Sequence, residues 1–282
     1  MHAVETATSQ RHSVFSHVIV GIDGSTESRE AARQAAILVD GELTLFASYD
    51  IAAAIAGTGI GVPVYLDVDG QRAAAEDALG RAYESAAAAS PTSLVVRGRP
   101  ADELISEVER EQSTLVVVGS HDYSRLAGFV LGSTATEVVH KAPCSVLVAR
   151  RKDMREEFPT NVVVGVDGSR ESATAFAAAC QLSERFNAEL WPVVAHGGKA
   201  VNRRAVDAIV DRWREDSPDE PVGALVTAAA DADLLVVGSR GLHGLKALGS
   251  VAERVAHRAG CSVLIVREPT WERRSEGLAE AA

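Results

Sequence analysis

The sequence predicts an α/β protein made of two doubly wound parallel-sheet domains in tandem, the second smaller and lacking one edge strand. Three observations carry this reading. Val18-Ile19-Val20-Gly21-Ile22-Asp23-Gly24-Ser25 returns as Val162-Val163-Val164-Gly165-Val166-Asp167-Gly168-Ser169. Leu115-Val116-Val117-Val118-Gly119-Ser120 returns as Leu234-Leu235-Val236-Val237-Gly238-Ser239, and each half closes on Gly-Ser, an amphipathic stretch and an apolar run, Gly132 to Ala149 and Gly249 to Val266. Motifs recurring in one order are an internal duplication, and so long a period makes the units domains rather than solenoid repeats. Finally, short apolar runs alternate with helical patterns, which implies parallel strands covered on both faces and joined by right-handed crossovers.

In the first half, Phe15 to Ile22 is a β-branched run ending at Asp-Gly, a buried strand and a turn. Ser25 is placed to cap a helix reaching about Val39, with Glu27 in its first turn. Leu43 to Ser48 reads as a strand, Gln71 to Ala89 as an Ala-rich helix, and Ser93 to Arg97 as the third strand. Ala101 to Arg110 is a helix and Thr114 to Val118 a buried strand; a helix from Ser133 to His140 and a strand from Ser145 to Ala149 complete the unit. The second half repeats the device with Ser169, Glu171 and a helix to about Phe186, then a strand from Glu189 to Ala195. Between Trp213 and Leu234 nothing matches Ser93 to Arg97, only an Ala-rich, helix-like piece from Val222 to Ala232, so the third strand is expected to be missing. The charged stretch from Arg150 to Pro159 reads as the connection. The division is therefore 15–150 and 160–267 as domains, 151–159 as linker, 1–14 as a disordered segment and 268–282 as a flexible polar tail.

A chain of 282 residues is long enough for two such cores. Its 46% hydrophobic and 24% charged residues match a soluble globular protein. The net charge of −11 argues against nucleic acid, which needs a basic face, but leaves room for a small anion held by backbone amides. Cys144, Cys180 and Cys261 have neither metal-type nor disulfide-rich spacing, which suits a reducing cytoplasm. Cys144 and Cys261 precede Ser-Val-Leu in both halves and read as small core residues. Met1 to Ser16 is polar and resembles no secretory signal. Ile51 to Val62 falls well short of the roughly 20 residues of a membrane span and reads as a loop or insertion. Trp191 and Trp213 are expected in core or interface, and His17, His140 and His257 at structural positions.

Ligands of such sheets bind beyond the carboxyl ends of the strands, at the switch point between the first and fourth strands. Four pieces converge there in each half: the acid Asp23 or Asp167, the loop from Gly119 or Gly238, the pair Gly132-Ser133 or Gly249-Ser250, and the end of the second strand. Glycines let backbone N–H groups approach phosphate, and a helix N-terminus offers unsatisfied donors. The acid could accept from the amine or hydroxyl groups of a nucleoside. The plainer readings stand beside these: Asp-Gly also shapes turns, and Ser133 and Ser250 also serve as N-caps. No Walker-type Gly-Lys-Ser/Thr, Gly-x-Ser-x-Gly elbow or zinc-binding helix signature is present, so neither metal nor catalytic residues are predicted.

At these residues both halves of the chain resemble the universal stress protein family. The resemblance implies a five-stranded parallel sheet between helices of the adenine nucleotide hydrolase-like type. Association through the last strand would pair Ser145–Ala149 with Ser262–Val266 as an intramolecular pseudo-dimer. It is compatible with a homodimer and a regulatory protein partner. Some members bind ATP through a Gly, two residues, Gly, nine residues, Gly-Ser/Thr loop. The first half keeps the nine-residue spacing from Asp122 to Gly132, but Asp122 stands where the second glycine belongs, and its carboxylate would repel phosphate. The second has Gly238-Ser239-Arg240-Gly241, then only seven residues before Gly249-Ser250, with Arg240 and Lys246 adding positive charge. Three functions follow. One is a cytoplasmic, non-enzymatic stress-response regulator binding ATP chiefly through Asp167, Gly238, Arg240, Gly241, Gly249 and Ser250, with Asp23, Gly119, Gly132 and Ser133 as the first-half set. The second is an interaction scaffold with degenerate nucleotide sites, and the third an adenine nucleotide hydrolase.

Overall fold

The computed structural model describes residues 14–50, 67–120, 131–150, 157–195, 203–210, 215–217, 219–239 and 250–271. The first half runs β1 (His17–Gly21), α1 (Thr26–Leu38), β2 (Glu42–Tyr49), α2 (Val68–Ala86), β3 (Thr92–Arg97), α3 (Pro100–Arg110), β4 (Leu115–Gly119), α4 (Ser133–Lys141) and β5 (Ser145–Ala149). The second runs β6 (Asn161–Gly165), α5 (Arg170–Phe186), β7 (Glu189–Ala195), α6 (Arg203–Asp207), β8 (Glu215–Ser217), α7 (Pro221–Ala228), β9 (Leu234–Gly238), α8 (Ser250–Arg258) and β10 (Ser262–Val266).

Among the described residues ten strands form one sheet, in the order β3-β2-β1-β4-β5-β10-β9-β6-β7-β8. Within each half every pairing is parallel; β5 and β10 alone pair antiparallel, and they join the halves. Leu147 lies opposite Leu264, its own counterpart in the duplication, so a local two-fold passes through that pair. Val146 opposite Ile265 and Val148 opposite Val263 repeat the symmetry. Both strands are wholly buried, and pairing covers what would otherwise be two exposed apolar edges.

Strand side chains alternate between faces, and the two large cores follow that alternation. Val18, Val20, Leu115 and Val117 pack under α1, α2 and α5, in a cluster that continues into Val162, Val164, Leu234 and Val236. Ile19, Val116 and Val118 face the other way, with Leu104 of α3, Val138 of α4, Leu225 of α7 and Val255 of α8. The result is three layers, helices on both faces of one sheet. Both cores cross from one half to the other.

Several expectations are corrected. The third strand of the second half is shortened, not lost: β8 has three residues and pairs with Val193 to Ala195 of β7, where β3 has six and pairs along β2 from Thr44 to Tyr49. Register gives the reason. Pro192 pairs with Val164 as Leu45 pairs with Val20, and the β8 ladder begins only after this residue without an N–H. Glu215-Asp216-Ser217 carries no apolar residue, so the pattern of a buried strand is absent from it. The stretch taken as linker begins in the core: Arg150 is 4% exposed and Phe158 7%. The polar tail starts out packed, with the Thr270 N–H donating to Pro143 O at 3.1 Å, Trp271 against the core and Glu268 paired with Arg170. The Ile51–Val62 insertion and Trp213 lie outside the described residues, while Trp191 packs on the core.

Candidate functional site

The crevice in each half begins with the turn after the first strand. Ser25 caps α1, its Oγ accepting from the Ser28 N–H at 3.0 Å; Ser169 caps α5 in the same way, from Ser172 at 3.1 Å. Asp23 Oδ1 accepts from the Ser25 N–H at 2.9 Å and its hydroxyl at 2.5 Å, and Asp167 Oδ1 does the same with Ser169 at 3.0 and 2.5 Å. These are side-chain turns of the Asx type. Gly24 and Gly168 complete them at φ +84° and +81°, a region that side chains with a Cβ avoid. The plainer reading of the two acids is therefore realised, yet both remain exposed at the mouth.

Gly119 and Gly238 end β4 and β9 beside those turns. A Cβ on Gly119 would lie 2.7 Å from the Glu27 carbonyl carbon and 2.9 Å from the Ser28 nitrogen; on Gly238 it would meet Glu171 O and lie 3.0 Å from the Ser172 nitrogen. Both glycines thus let the first turn of α1 or α5 pack on the strand end. Close helix packing is a role the sequence reading had not given them.

Gly132 is the N-cap of α4, with Ser133 its first helical residue, so Ser133 is not the cap that one reading made it. No side chain among the described residues caps this helix, which leaves its N-terminus to backbone donors. Ser250 likewise opens α8 as its first residue. Parallel order puts the N-termini of α4 and α8 at the carboxyl ends of β4 and β9, the same end as Asp23 and Asp167. The structure therefore brings Asp23, Gly119, Gly132 and Ser133 to one end of the first half, and Asp167, Gly238 and Ser250 to one end of the second. Arg240, Gly241, Gly249, Lys246 and Asp122 lie outside the described residues.

Where β5 meets β10 the two halves share a polar seam. Arg150, just past β5, gives its N–H to Ser262 Oγ at 3.0 Å, and its guanidinium bonds Cys261 O at 3.3 Å and Ala256 O near the end of α8. Arg267, just past β10, gives its N–H to Ser145 Oγ at 3.1 Å, and its guanidinium bonds Val139 O at 2.7 Å and Ala142 O at the end of α4. A cation at a helix C-terminus answers unsatisfied carbonyls and the helix dipole. Burial lowers the pKa of Arg150 to about 10, which leaves it charged at neutral pH. Burial pushes the Cys144 thiol up to about 12 against the opposing pull of Arg267, and Cys144 and Cys261 are buried as expected. His17 pairs with Glu42 at 3.0 Å and His140 with Glu253 across the seam at 3.2 Å, structural roles both. The sequence reading passed over the two arginines; an arginine directly after each last apolar run was the signal. Among the described residues no helix is long and apolar enough to cross a membrane, and no group of three or more His, Cys, Asp or Glu could hold a metal ion.

The profile of the universal stress protein family matches residues 15–150 and 195–267. The chain belongs to that family. Universal stress protein Rv2623 of Mycobacterium tuberculosis is 30% identical over 290 residues, covering 89% of this chain and 96% of the relative. Universal stress protein Mb2028c of Mycobacterium bovis is 31% identical over 288 residues, covering 89% and 97%. The crystal structure of a universal stress protein from Archaeoglobus fulgidus covers 91% of this chain and 97% of that one at a TM-score of 0.68 and 19% identity, a likeness of fold. The second profile match begins at 195, after β6 and α5, although β6 pairs with β7 and β9 as β1 pairs with β2 and β4. The universal stress protein frame thus extends through a stretch that the profile does not cover.

Proposed function

We propose that this universal stress protein is a non-enzymatic, cytoplasmic stress-response regulator that binds adenine nucleotide, ATP, chiefly in its second half. The observation that carries the reading is the meeting of the Asp167 turn, the Gly238 strand end and the start of α8 at one end of the second half. Backbone donors at the helix start suit phosphate, and an exposed carboxylate suits the hydroxyl or amine groups of a nucleoside. Arg240, Gly241, Gly249 and Ser250 complete the proposed binding set. Gly241 is the residue that Asp122 replaces in the first half. Residues 15–150 and 160–267 are the proposed domains, joined as a pseudo-dimer within one chain.

Calorimetric titration of the nucleotide-stripped protein with ATP, beside Gly241→Asp, tests this. One ATP per chain, lost in Gly241→Asp, is the expected result. Two per chain would overturn the preference for the second half, and no heat or thermal shift at millimolar ATP would overturn the reading itself. A second reading, an interaction scaffold with degenerate sites, is favoured by the engagement of Asp23 and Asp167 in their own turns. That reading takes the lead if ATP does not bind. ATP turnover, lost in Asp167→Ala with folding intact, would instead make the protein a hydrolase.

A further inference from the structure

Arg267 touches both crevices' supports at once. Its Nε donates to Ser239 Oγ at 3.0 Å, and Ser239 is the residue that follows Gly238 at the mouth of the second crevice. Ser239 is 4% exposed, and its N–H donates to Val266 O at 3.1 Å, so both its hydroxyl and its backbone are tied to the end of β10. The other arm of the same guanidinium crosses the seam to Val139 O at 2.7 Å and to Ala142 O. Val139 needs this donor. The residue four places on, which would ordinarily close the helical bond, is Pro143 and has no N–H.

The backbone of Arg267 is fixed as well. Its N–H donates to Ser145 Oγ at 3.1 Å and its carbonyl accepts from that hydroxyl at 3.2 Å, a clamp on the first residue of β5. The guanidinium is planar and rigid, so its two arms cannot adjust independently as a lysine ammonium could. A shift of Ser239 is therefore passed to the C-terminal end of α4. That helix spans only nine residues, about 13 Å at the usual rise, and its other end is the Gly132–Ser133 start in the first crevice.

We propose that Arg267 is a positioning residue that couples the two crevices: it fixes Ser239 at the mouth of the second and holds α4, whose N-terminus borders the first. The inference deepens the nucleotide reading above and rests on it for the ligand. Occupation of the second crevice, by restraining Ser239 further, tightens α4 in the first half through a contiguous set of hydrogen bonds. Arg150 repeats the backbone clamp on Ser262 and reaches Ala256 O of α8, so the clamp and the helix contact recur on the other side of the two-fold.

The test is hydrogen exchange across residues 133–142 of the full chain, read with and without ATP, in wild type, Ser239→Ala and Arg267→Lys, alongside the ATP Kd and Tm. Without nucleotide, Ser239→Ala removes one arm's partner without touching α4, and exchange in 133–142 is expected to quicken about tenfold, the effect of about 1.4 kcal/mol. Arg267→Lys keeps the charge but not the fork, and should quicken it as much while raising the ATP Kd about tenfold. ATP should slow exchange in 133–142 in wild type and leave both variants unchanged. Unchanged exchange in Ser239→Ala would overturn the coupling, whatever ATP does. Faster exchange in Arg267→Lys with wild-type ATP affinity and an ATP response would make Arg267 merely structural. Failure of wild type to bind ATP would sink the nucleotide reading, while the nucleotide-free comparison still decides the tie between Ser239 and α4.

Discussion

The two halves keep the same frame around the crevice and differ at its margins. In the first, β3 has six residues and α2 nineteen; in the second, their places are taken by three-residue β8 and five-residue α6. The second half lengthens elsewhere: α5 has seventeen residues where α1 has thirteen, about one further turn. On that turn Arg185 reaches back to the first half, donating to Leu38 O at 2.9 Å, Val39 O at 3.1 Å and Ile37 O at 3.2 Å while pairing with Asp40 at 2.6 Å. Central strands cannot shrink without breaking ladders on both sides and cores on both faces, whereas an edge strand breaks one ladder. The strand that varies lies at the rim, the helix that lengthens does so where the halves meet, and what is repeated carries the turn, the close-packed glycine and the helix start.

The sharpest way to break this comparison is at the paired glycines. Gly238→Ala and Gly119→Ala should each cost about 2–3 kcal/mol in urea unfolding, because a Cβ must displace helix backbone rather than a movable side chain. Gly238→Ala should be the larger loss, its nearest neighbour being the closer. A loss below about 1 kcal/mol at either site would show that α1 or α5 can retreat, and that the glycine is kept for a ligand alone.

At the seam that the halves share, Cys144 sets an alkaline limit. Its thiol is raised from 9.0 to about 12 by burial, so the folded state favours the neutral form. That contribution is complete below pH 9 and drains away as pH rises toward 12, because the unfolded thiol gives up its proton first. Cys144→Ala should therefore show a flatter stability profile than wild type, by about 2 kcal/mol between pH 9 and 11. Parallel profiles would refute this.

The smallest expected effect belongs to the element that only one half has. Arg185→Ala should cost about 1–2 kcal/mol by leaving the α1 carbonyls and Asp40 without their cation, and Arg185→Lys should recover less than half of it. Chemical denaturation measures both. Full recovery by lysine would mean that charge alone, rather than the forked bonding to three carbonyls, joins α5 to α1.

Much of the frame was legible because it is written locally. Val18 to Ser25 and its repeat show strand, turn and cap in eight residues, and the structure places Ser25, Ser169, Gly24 and Gly168 in those roles. The runs at Ser145 and Ser262 gave both last strands to the residue, and their pairing across the two-fold followed from family resemblance. Glu215 to Ser217 was not legible, since three polar residues become a strand only because Val193 to Ala195 offer free ladder positions past Pro192. The acids Asp23 and Asp167 carried two readings, ligand contact and turn formation, and the bonds to the serine two places on realise the turn.

The sequence by itself determined the duplication, the class of fold, the buried strands and the turn that opens each half, because apolar period, caps and turn glycines are properties of short segments. Only the tertiary structure decided that two glycines make room for helices, and that Arg150 and Arg267 leave the stretch after each last strand to cross the seam. Those outcomes depend on which distant backbone carbonyls lack donors, such as Val139 above Pro143, and such a shortage exists only once the helices are packed.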